Sequence, residues 1–473
     1  MTDAPRPDGI DPDRLRICLE VLAEVHALPL DHPDAVRVRR ATSSLVKTIK
    51  VLHRKARREA DARVTASTAT AAPGRIDDET RGIALTEPEP GTTSVGRLHR
   101  PRSCYVCKQR YHEIHPFYHQ LCPPCADLNW AKREARTDLS GRRALLTGGR
   151  AKIGMYIALR LLRDGAHTTI TTRFPNDAVR RFAAMPDSAE WLHRLRIVGV
   201  DLRDPRQVVA LADTVADQGP LDVLINNAAQ TVRRTPGAYS QLVAAEAAPL
   251  PAGTLPEVVT LGSPAHEHPL ELGTHAFDAD ELTALSLTSR SASLDRVAAS
   301  TAIDAGGLVP DLAAANSWTD RVHEVDALEL LEVQLCNVTA PFILVSRLRR
   351  SLAAAQADRT YVVNVSAIEG RFNRGYKGAG HPHTNMAKAA LNMLTRTSSE
   401  DLYTDGILMT SVDTGWITDE RPHPTKARLA EEGFHAPLDL VDGAARVYDP
   451  IVRGERGEDL FGCFLKDYQP SAW

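Results

Sequence analysis

The sequence predicts an α/β protein built on a doubly wound parallel sheet, and three stretches support that prediction. In residues 142–175, a short apolar run is followed by a glycine-containing loop, a helical repeat of apolar residues and a second β-rich run. Apolar strand-like runs that end in polar residues occur again at 221–229 and 361–366. The first stretch has the order of a βαβ unit, whose helix N-terminus offers free backbone N–H groups to a pyrophosphate. A dinucleotide is therefore the predicted ligand.

Length and composition indicate a globular chain with more than one domain. The chain has 473 residues, of which 43% are hydrophobic and 25% charged, and its formal net charge is −3. That length exceeds one ordinary core, and the charge argues against general attraction to nucleic acid. No run approaches the roughly 18 to 20 apolar residues that span a membrane, and the N-terminus lacks a charged-then-apolar signal pattern. We therefore expect a cytoplasmic protein.

Composition divides the chain into four predicted segments. Residues 1–63 are expected to be helical, 64–98 to form a linker, 99–136 to form a metal-binding module, and 137–473 to form the α/β domain. An insertion at about 236–325 interrupts this last domain and contains a strand-like run around Val258 and Val259. Such length inside a compact domain is typical of a lid or a binding loop. We expect the insertion either to cover the substrate cleft or to pack away from it.

The N-terminal segment predicts a helical hairpin. Asp11 and Pro12 form a helix start, and a second helix is expected from near Pro33 toward Arg63. From Arg37 to Arg63 there are ten Lys or Arg against two Asp or Glu. This basic face could dock an acidic partner or nucleic acid. A solvated helix face is the favoured interpretation, because no aromatic residues interleave with the charges.

Four of the seven cysteines form two CxxC pairs, Cys104 with Cys107 and Cys122 with Cys125. In a reducing compartment this pattern favours a tetrahedral zinc site over disulfides, because each pair delivers two thiolates to one ion. Four thiolates leave no open coordination position, so the predicted zinc is structural, in a small ribbon-like module that could also serve as an interaction surface. A redox role for the pairs is the weaker alternative. Three histidines between the pairs could replace a thiolate, namely His112, His115 and His119.

The loop TGGRAKIG, which starts at Thr147, resembles the TGxxxGxG loop of the short-chain dehydrogenases/reductases, with Lys152 at the usual place of the middle glycine. Leu221 to Ala229 is similar to the NNAG strand and turn of that family. The resemblance covers about Leu139 to Trp473 without the insertion, and it implies a Rossmann-type fold. It also implies a set of cofactor-binding residues: Thr147, Gly148, Gly149, Arg150, Lys152, Ile153, Gly154, Arg173, Asp201, Leu202, Asn227, Ala228, Lys388 and Thr418.

The end of the second strand predicts a preference for NADP(H). NAD-preferring members carry an acidic residue there that binds the ribose hydroxyls, whereas this chain has Arg173. Together with Arg150 or Lys152 from the glycine loop, Arg173 would match a 2′-phosphate. Further along, the run from Ile407 to Thr418 resembles the sixth strand and PG turn of the family, with threonine in place of proline.

The resemblance also assigns catalytic positions. Ser366 ends the strand that carries the catalytic serine, Lys388 stands at the lysine of the YxxxK helix, and Asn337 stands at the helix asparagine that holds a water in the proton path. The tyrosine of that motif is replaced by Thr384. A threonine hydroxyl cannot serve as the acid or base near neutral pH, so the proton must come from elsewhere or the site does not turn over.

Three explanations of that replacement remain open at this level. Tyr376, His381 or His383 could supply a substitute acid, or water held by Asn337 and Lys388 could carry the proton. Alternatively, the protein binds NADP without turnover, as a sensor or scaffold whose zinc module recruits a partner. The first interpretation is an NADP-dependent oxidoreductase of a carbonyl or alcohol, assembled as a dimer or tetramer through its C-terminal helix and edge strand.

Overall fold

The structure is a computed structural model that describes residues 9–72, 75, 85–234, 236–262, 306–308, 313–373, 375 and 377–473. It contains an N-terminal helical hairpin, a small cysteine module and an α/β domain. The mixed α/β fold with a parallel sheet, and the helical N-terminus, confirm the predicted fold class.

The hairpin consists of α1 (Pro12–Ala27) and α2 (Pro33–Ala66). The Asp11 carboxylate caps α1 by accepting hydrogen bonds of 3.1 Å from the N–H groups of Asp13 and Arg14. No residue of α1 is buried, and within α2 only Ala35 is. Helix α2, which was expected to end near residue 63, continues to residue 66. The chain that follows it is packed against the protein, since Thr70 is buried. The start of the predicted linker is therefore helical and packed.

The cysteine module contains β1 (Gly96–Ser103), β2 (Arg110–Ile114) and α3 (Pro123–Glu134), with β1 and β2 antiparallel. Its apolar core includes Phe117, Tyr118 and Leu121 and is continuous with Leu438 and Leu440 of the α/β domain. The module therefore shares a core with the larger domain.

Buried polar contacts also join the module to the α/β domain. The Tyr118 hydroxyl donates to the Asp442 carboxylate at 2.6 Å. The Arg133 guanidinium contacts Asp439 at 2.6 Å and Asp442 at 3.1 Å, and all three side chains are buried. Breaking one partner of such a buried pair leaves an uncompensated charge, so these contacts fix the position of the module.

The α/β domain is organised around one sheet with the strand order β11-β10-β9-β8-β6-β3-β4-β5-β7. Neighbouring strands are parallel except for the β10–β11 pair. The strands are β3 (Arg143–Leu146), β4 (His167–Thr172), β5 (Leu195–Gly199), β6 (Val223–Asn226), β7 (Glu257–Thr260), β8 (Thr360–Ser366), β9 (Ile407–Asp413), β10 (Phe464–Lys466) and β11 (Gln469–Ser471). The order reverses between β3 and β6, which is where ligands bind in open α/β sheets.

Helices cover both faces of the sheet, as a sheet buried on both sides requires. They are α4 (Lys152–Arg163), α5 (Pro175–Ala183), α6 (Ser188–Trp191), α7 (Pro205–Ala216), α8 (Ser240–Ala247), α9 (Ala327–Gln334), α10 (Ala340–Ala353), α11 (Pro382–Tyr403), α12 (His423–Glu431) and α13 (Leu440–Glu455). Apolar residues of α4 and α13 fill the core on one face, and those of α7 and α10 fill the core on the other.

The insertion contributes β7, which pairs in parallel outside β5 and extends the sheet by one edge strand. This strand contains Val258 and Val259, where the sequence predicts one. Residues 263–305 of the insertion lie outside the described residues.

The helix formed by residues 327–353 is long and apolar enough to cross a membrane by length and composition. It is interrupted by a π-helical turn, Leu335–Thr339, between α9 and α10. Leu344, Leu348 and Leu352 of α10 are buried against the sheet and α7. This packing is that of a core helix of an α/β domain.

Candidate active site and cysteine site

The loop between β3 and α4 has the close backbone packing that its glycines predict. Gly148 has φ +69°, and a Cβ atom on Gly154 would lie 2.0 Å from the Gly148 carbonyl oxygen. Lys152, at the middle-glycine position, also has a left-handed backbone with φ 53°. That conformation costs an ordinary L-residue about 1–2 kcal/mol. The lysine therefore keeps the backbone shape of the motif and adds a positive charge to it.

Asn227 ties this loop to the end of β6. Its side-chain amide donates to the carbonyl oxygens of Thr147 and Gly148 at 3.0 and 3.1 Å. The Thr147 hydroxyl oxygen in turn accepts from the backbone N–H groups of Asn227 and Ala228, both at 3.0 Å. The neighbouring Asn226 amide donates to Asn364 of β8 at 2.8 Å. These hydrogen bonds connect the carboxyl ends of β3, β6 and β8, which together form the floor of the site.

A cleft of about 890 Å³ opens above this floor, at the carboxyl ends of the strands. Every predicted cofactor-binding residue lines the cleft except Thr147 and Gly149, which support it from below. The described ends of the insertion contribute four lining residues, Tyr239, Gly306, Leu308 and Trp318. Within the described part of the chain, the insertion thus reaches the cleft at two places as well as the sheet edge.

The two arginines predicted to hold a 2′-phosphate have different surroundings. Arg150 forms an ion pair with Asp177 and donates to the Gly306 carbonyl oxygen at 2.7 Å. The Arg173 guanidinium lies 4.8 Å from the ring centre of Tyr239, and it lines the cleft. Arg173 is therefore the better placed of the two to meet a phosphate.

Asp201 and Leu202 lie where the resemblance expects the adenine edge. Arg203 donates to both Asp201 carboxylate oxygens, at 3.0 and 2.6 Å, and its other Nη contacts Glu332 at 2.9 Å. Burial would raise the pKa of Asp201, but the hydrogen bonds from Arg203 outweigh it and hold that pKa below its ordinary value. Arg203 is a neighbour of the site that the sequence analysis did not single out.

Ser366 and Lys388 both line the cleft, as predicted for the catalytic pair. The Ser366 hydroxyl donates to the Asn392 side-chain oxygen at 2.6 Å, and the Lys388 ammonium donates to the Val365 carbonyl oxygen at 2.7 Å. Burial lowers the pKa of Lys388 to about 8. Asn337 lies in the π-helical turn and exchanges two hydrogen bonds with the Gln230 backbone, at 2.7 and 2.9 Å.

Thr384, at the tyrosine position, does not reach the cleft. Its hydroxyl donates to the His381 carbonyl oxygen at 2.9 Å, one turn back in its own helix, and the side chain is buried. Of the three proposed substitute acids, His381 and His383 do not line the cleft either. His383 is buried with its Nε2 3.8 Å from Glu329, His381 stacks on Trp318 at 3.9 Å between ring centres, and Tyr376 lies outside the described residues.

Other ionisable side chains line the cleft near Ser366 and Lys388, and sequence reasoning missed their roles. Asp413 ends β9, and its Oδ1 accepts from the Ile368 N–H at 3.2 Å. Tyr105, between two cysteines of the module, accepts from the Trp416 N–H at 2.9 Å. Glu369 and Lys466 complete this set. The available signal for Asp413 was an acidic residue at the end of an apolar strand.

The four cysteine sulfurs of the module all lie within 4.8 Å of one another. The Cys122 N–H points to the Cys104 sulfur at 3.4 Å, and Lys108 next to the first pair has φ 64°. Such N–H···S bonds and tight turns shape two CxxC knuckles around a shared centre. The donor set of four thiols within reach of one point fits a tetrahedral zinc ion.

The histidines of the module are engaged elsewhere. A ring nitrogen of His119 lies 2.8 Å from the Thr70 hydroxyl, one of His112 lies 2.8 Å from the Leu98 carbonyl oxygen, and one of His115 accepts from the Phe117 N–H at 3.0 Å. Among the described residues, the group close enough to share one metal ion consists of the four cysteines. The alternative in which a histidine replaces a thiolate has no support in this geometry.

Part of the α/β domain matches a known family model. Residues 142–245 match the family model described as short chain dehydrogenase. The chain is 29% identical over 364 residues to an uncharacterized protein of Acanthamoeba polyphaga mimivirus, which covers 74% of this chain and 71% of the viral protein. It is 38% identical over 94 residues to a probable oxidoreductase of Streptomyces antibioticus, but this match spans 19% of the chain and 30% of that protein.

Among solved structures, the chain is similar to a short chain dehydrogenase from Burkholderia cenocepacia in complex with NADP, with 20% identity and a TM-score of 0.44. That match covers 70% of this chain and 97% of the other. It is also similar to an NADPH-bound carbonyl reductase from chicken fatty liver, with 17% identity and a TM-score of 0.43, over 71% of this chain and 100% of the other.

Proposed function

We propose that the protein is an NADP-dependent oxidoreductase of a carbonyl or alcohol substrate, of the short-chain dehydrogenase/reductase type whose family model residues 142–245 match. The observation that carries the proposal is the cleft itself. One wall is the glycine loop held by Asn227, and the opposite wall carries Ser366 and Lys388. A dinucleotide lying between them would bring its reactive ring to the polar wall.

The preference for NADP(H) is supported by Arg173 and Lys152. Arg173 follows β4, Lys152 begins α4, and both line the cleft. A 2′-phosphate on the adenosine ribose would need such a positive partner. The ring of Tyr239 beneath the Arg173 guanidinium orients its planar fork, and a cation over an aromatic face is itself favourable. The acidic residue that would instead favour NAD is absent from this strand end.

The protein's own residues would prepare the substrate for reaction with the hydride that a nicotinamide supplies. The Ser366 hydroxyl can donate a hydrogen bond to the substrate oxygen, and the Lys388 ammonium can hold the ribose and stabilise negative charge nearby. Lys388 has a lowered pKa of about 8 because it is buried, so it is still mostly charged at neutral pH.

In the same proposal the cysteine module holds a structural zinc ion. Its four sulfurs fit a closed site, and none of the four cysteines lines the cleft. Zinc would stabilise the turn that carries Tyr105, which does line the cleft. The ion is therefore proposed as a support for the active-site wall and has no part in the reaction.

Oligomers of this protein are proposed as dimers or tetramers. Helix α3 of the module packs on α13 through Arg133 and Asp442, which covers that side of the C-terminal helix. β11 pairs with β10 and forms the outer edge of the sheet, so it is the part of the C-terminal region proposed to meet a second copy. Sedimentation analysis would report the assembly.

A protein that binds NADP without turnover is a second candidate, which the position of Thr384 favours. The two are separated by titrating NADPH fluorescence and then measuring NADPH oxidation across a panel of aldehydes and ketones. Turnover that falls in Ser366→Ala and Lys388→Ala, against an unchanged exposed control such as Arg206→Ala, supports the enzyme. NADPH binding with no turnover from any of the carbonyls supports the binder.

A further inference from the structure

Reduction of a carbonyl needs a proton for the oxygen as well as a hydride for the carbon, and the family position for the proton donor holds Thr384. The threonine hydroxyl points back into its own helix, toward the His381 carbonyl oxygen. Asn337, which a water relay would need, is bonded to the Gln230 backbone through both its side-chain oxygen and its side-chain nitrogen. Among the described residues, a different ionisable side chain could therefore face the substrate oxygen. This step rests on the proposed function.

We propose that Asp413 is the proton donor of this active site. Asp413 is the residue in register with Ser366, and the two stand at the carboxyl ends of the adjacent parallel strands β8 and β9. Neighbouring strands lie about 4.8 Å apart and in-register side chains share a face of the sheet, so the carboxyl lies beside the serine hydroxyl. Both side chains line the cleft. One substrate oxygen could contact both.

The surroundings of Asp413 suit a group that carries a proton near neutral pH. Its side chain is 4% exposed, and among the described residues its hydrogen bond is the one from the Ile368 N–H to Oδ1. Burial raises its pKa to about 6, and the charge of Lys466 opposes that rise. Desolvation of this kind is how enzymes bring a carboxylic acid toward the pH at which it works.

Charged groups from every neighbouring element act on this carboxyl. The negative charges of Glu369 and Asp467 raise its pKa further, whereas Arg446 lowers it. Two more groups line the cleft nearby, Lys388 from α11 and Tyr105 from the cysteine module. Charges of both signs thus surround the carboxyl group. Because no single ion pair fixes its charge, we expect its protonation to change with pH.

Two other ionisable groups of this wall, Tyr105 and Glu369, are less suitable donors. Burial, together with the negative charges of Asp413 and Asp467, raises the pKa of Tyr105 above its ordinary value, so its O–H is a weaker acid than the Asp413 carboxyl. Glu369 is only half-buried and lies in a turn after the strand. Asp413, in contrast, is buried, ends a strand of the sheet and is in register with Ser366.

In the proposed step, a bound reduced nicotinamide would supply a hydride to the carbonyl carbon and would itself be oxidised. As the C=O π bond breaks, the Asp413 O–H bond also breaks and its proton moves to the substrate oxygen, which gives the alcohol. Asp413 is left as a carboxylate and regains a proton from solvent through the open cleft. In the oxidation direction the same carboxylate accepts the proton.

The test compares Asp413→Asn with the wild type, and uses Asp459→Asn, a surface change, as the control. Asparagine keeps an oxygen for the Ile368 N–H, so we expect the melting temperature and the NADPH Kd to stay close to wild type. The rate of carbonyl reduction should fall about hundredfold or more, the size of a general-acid effect. Asp413→Glu should restore part of it. In the wild type, the reduction rate should fall as pH rises through the Asp413 pKa, and Asp413→Asn should lose that limb.

A measurement without cofactor completes the test. The infrared spectrum of the wild type at pH 5 should contain a protonated-carboxyl band that Asp413→Asn lacks and that vanishes toward pH 8. Turnover in Asp413→Asn within threefold of wild type would overturn the proposal while leaving the oxidoreductase intact. Absence of turnover in the wild type, despite NADPH binding, would overturn both.

Discussion

The two halves of the cleft are built differently. The cofactor half, from β3 to β6, is made of residues close in sequence or on neighbouring strands, and its glycine loop is fixed by backbone contacts with Asn227. In the half that the resemblance assigns to catalysis, Thr384 stands at the predicted tyrosine position and does not line the cleft. The wall there draws Tyr105 from the cysteine module and Trp318 from the insertion. In this account, binding depends on the backbone shape of the glycine loop, whereas chemistry depends on side chains from distant segments of the chain.

The strongest way to break the cofactor half alone is Gly154→Val. Any Cβ at this position would lie 2.0 Å from the Gly148 carbonyl oxygen, so the loop has to move. We expect overpacking of about 3 kcal/mol, and a loss of NADPH affinity of about hundredfold or more. The control is Gly378→Ala, where an added Cβ meets nothing within 4 Å. NADPH affinity retained by Gly154→Val would contradict the location of the cofactor.

The catalytic half can be probed through stability, because Lys388 is buried with a pKa lowered from 10.5 to about 8. The unfolded chain binds this proton more tightly, so the free energy of unfolding should rise between pH 8 and 10.5, by about 3 kcal/mol in total. Urea unfolding of the wild type and Lys388→Met at pH 7.5 and 10 measures the effect. The wild type should gain stability relative to the variant. If the free energy of unfolding changed with pH in the same way in the wild type and in Lys388→Met, the folded protein would not bury the charged form of Lys388.

Cofactor choice tests the cofactor half more finely. Arg173→Ala should weaken NADPH binding about tenfold to a hundredfold and leave NADH binding nearly unchanged, because a charged hydrogen bond contributes about 1.5–3 kcal/mol. Fluorescence titration of both nucleotides measures the ratio. Arg206→Ala, an exposed arginine paired with Asp204, is the matched control. Equal losses for both nucleotides would mean that Arg173 does not meet the 2′-phosphate.

The smallest expected effect joins the two halves. Tyr105→Phe removes the acceptor of the Trp416 N–H, a hydrogen bond of about 1 kcal/mol, so NADPH affinity should fall about fivefold. Removing a bound metal from the cysteines with a chelator should loosen the same turn and lower the melting temperature. The two treatments combined should weaken NADPH binding no more than chelation alone. If the losses of NADPH affinity from the two treatments added up, the metal and Tyr105 would act independently.

The strand, glycine loop and helix of the cofactor half can be predicted from the sequence because their determinants are local. The periodicity of the apolar residues, the spacing of the glycines and the Asn226-Asn227 turn each depend on one strand, loop or helix. Each can therefore be read from a short stretch of sequence. Lys152 illustrates a limit, since its left-handed backbone is visible only in the structure. Arg150 illustrates another, because its ion pair with Asp177 depends on where α5 packs.

The catalytic half is less predictable because its neighbours are distant in sequence. Tyr105 and Trp416 are more than 300 residues apart, and their contact follows from the shared core of the module and the α/β domain. His383 shows the converse, because a histidine one residue from Thr384 in sequence points to Glu329 and not to the cleft. Proximity along the chain is a poor guide to which acid reaches a substrate.

Calorimetric titration of the wild-type protein with NADP⁺ tests the central claim most directly, since every other inference needs a dinucleotide in the cleft. The account predicts saturable binding of one NADP⁺ per chain, weakened in Arg173→Ala and lost in Gly154→Val. Absence of binding to the folded wild type, or binding unchanged by both substitutions, would contradict it.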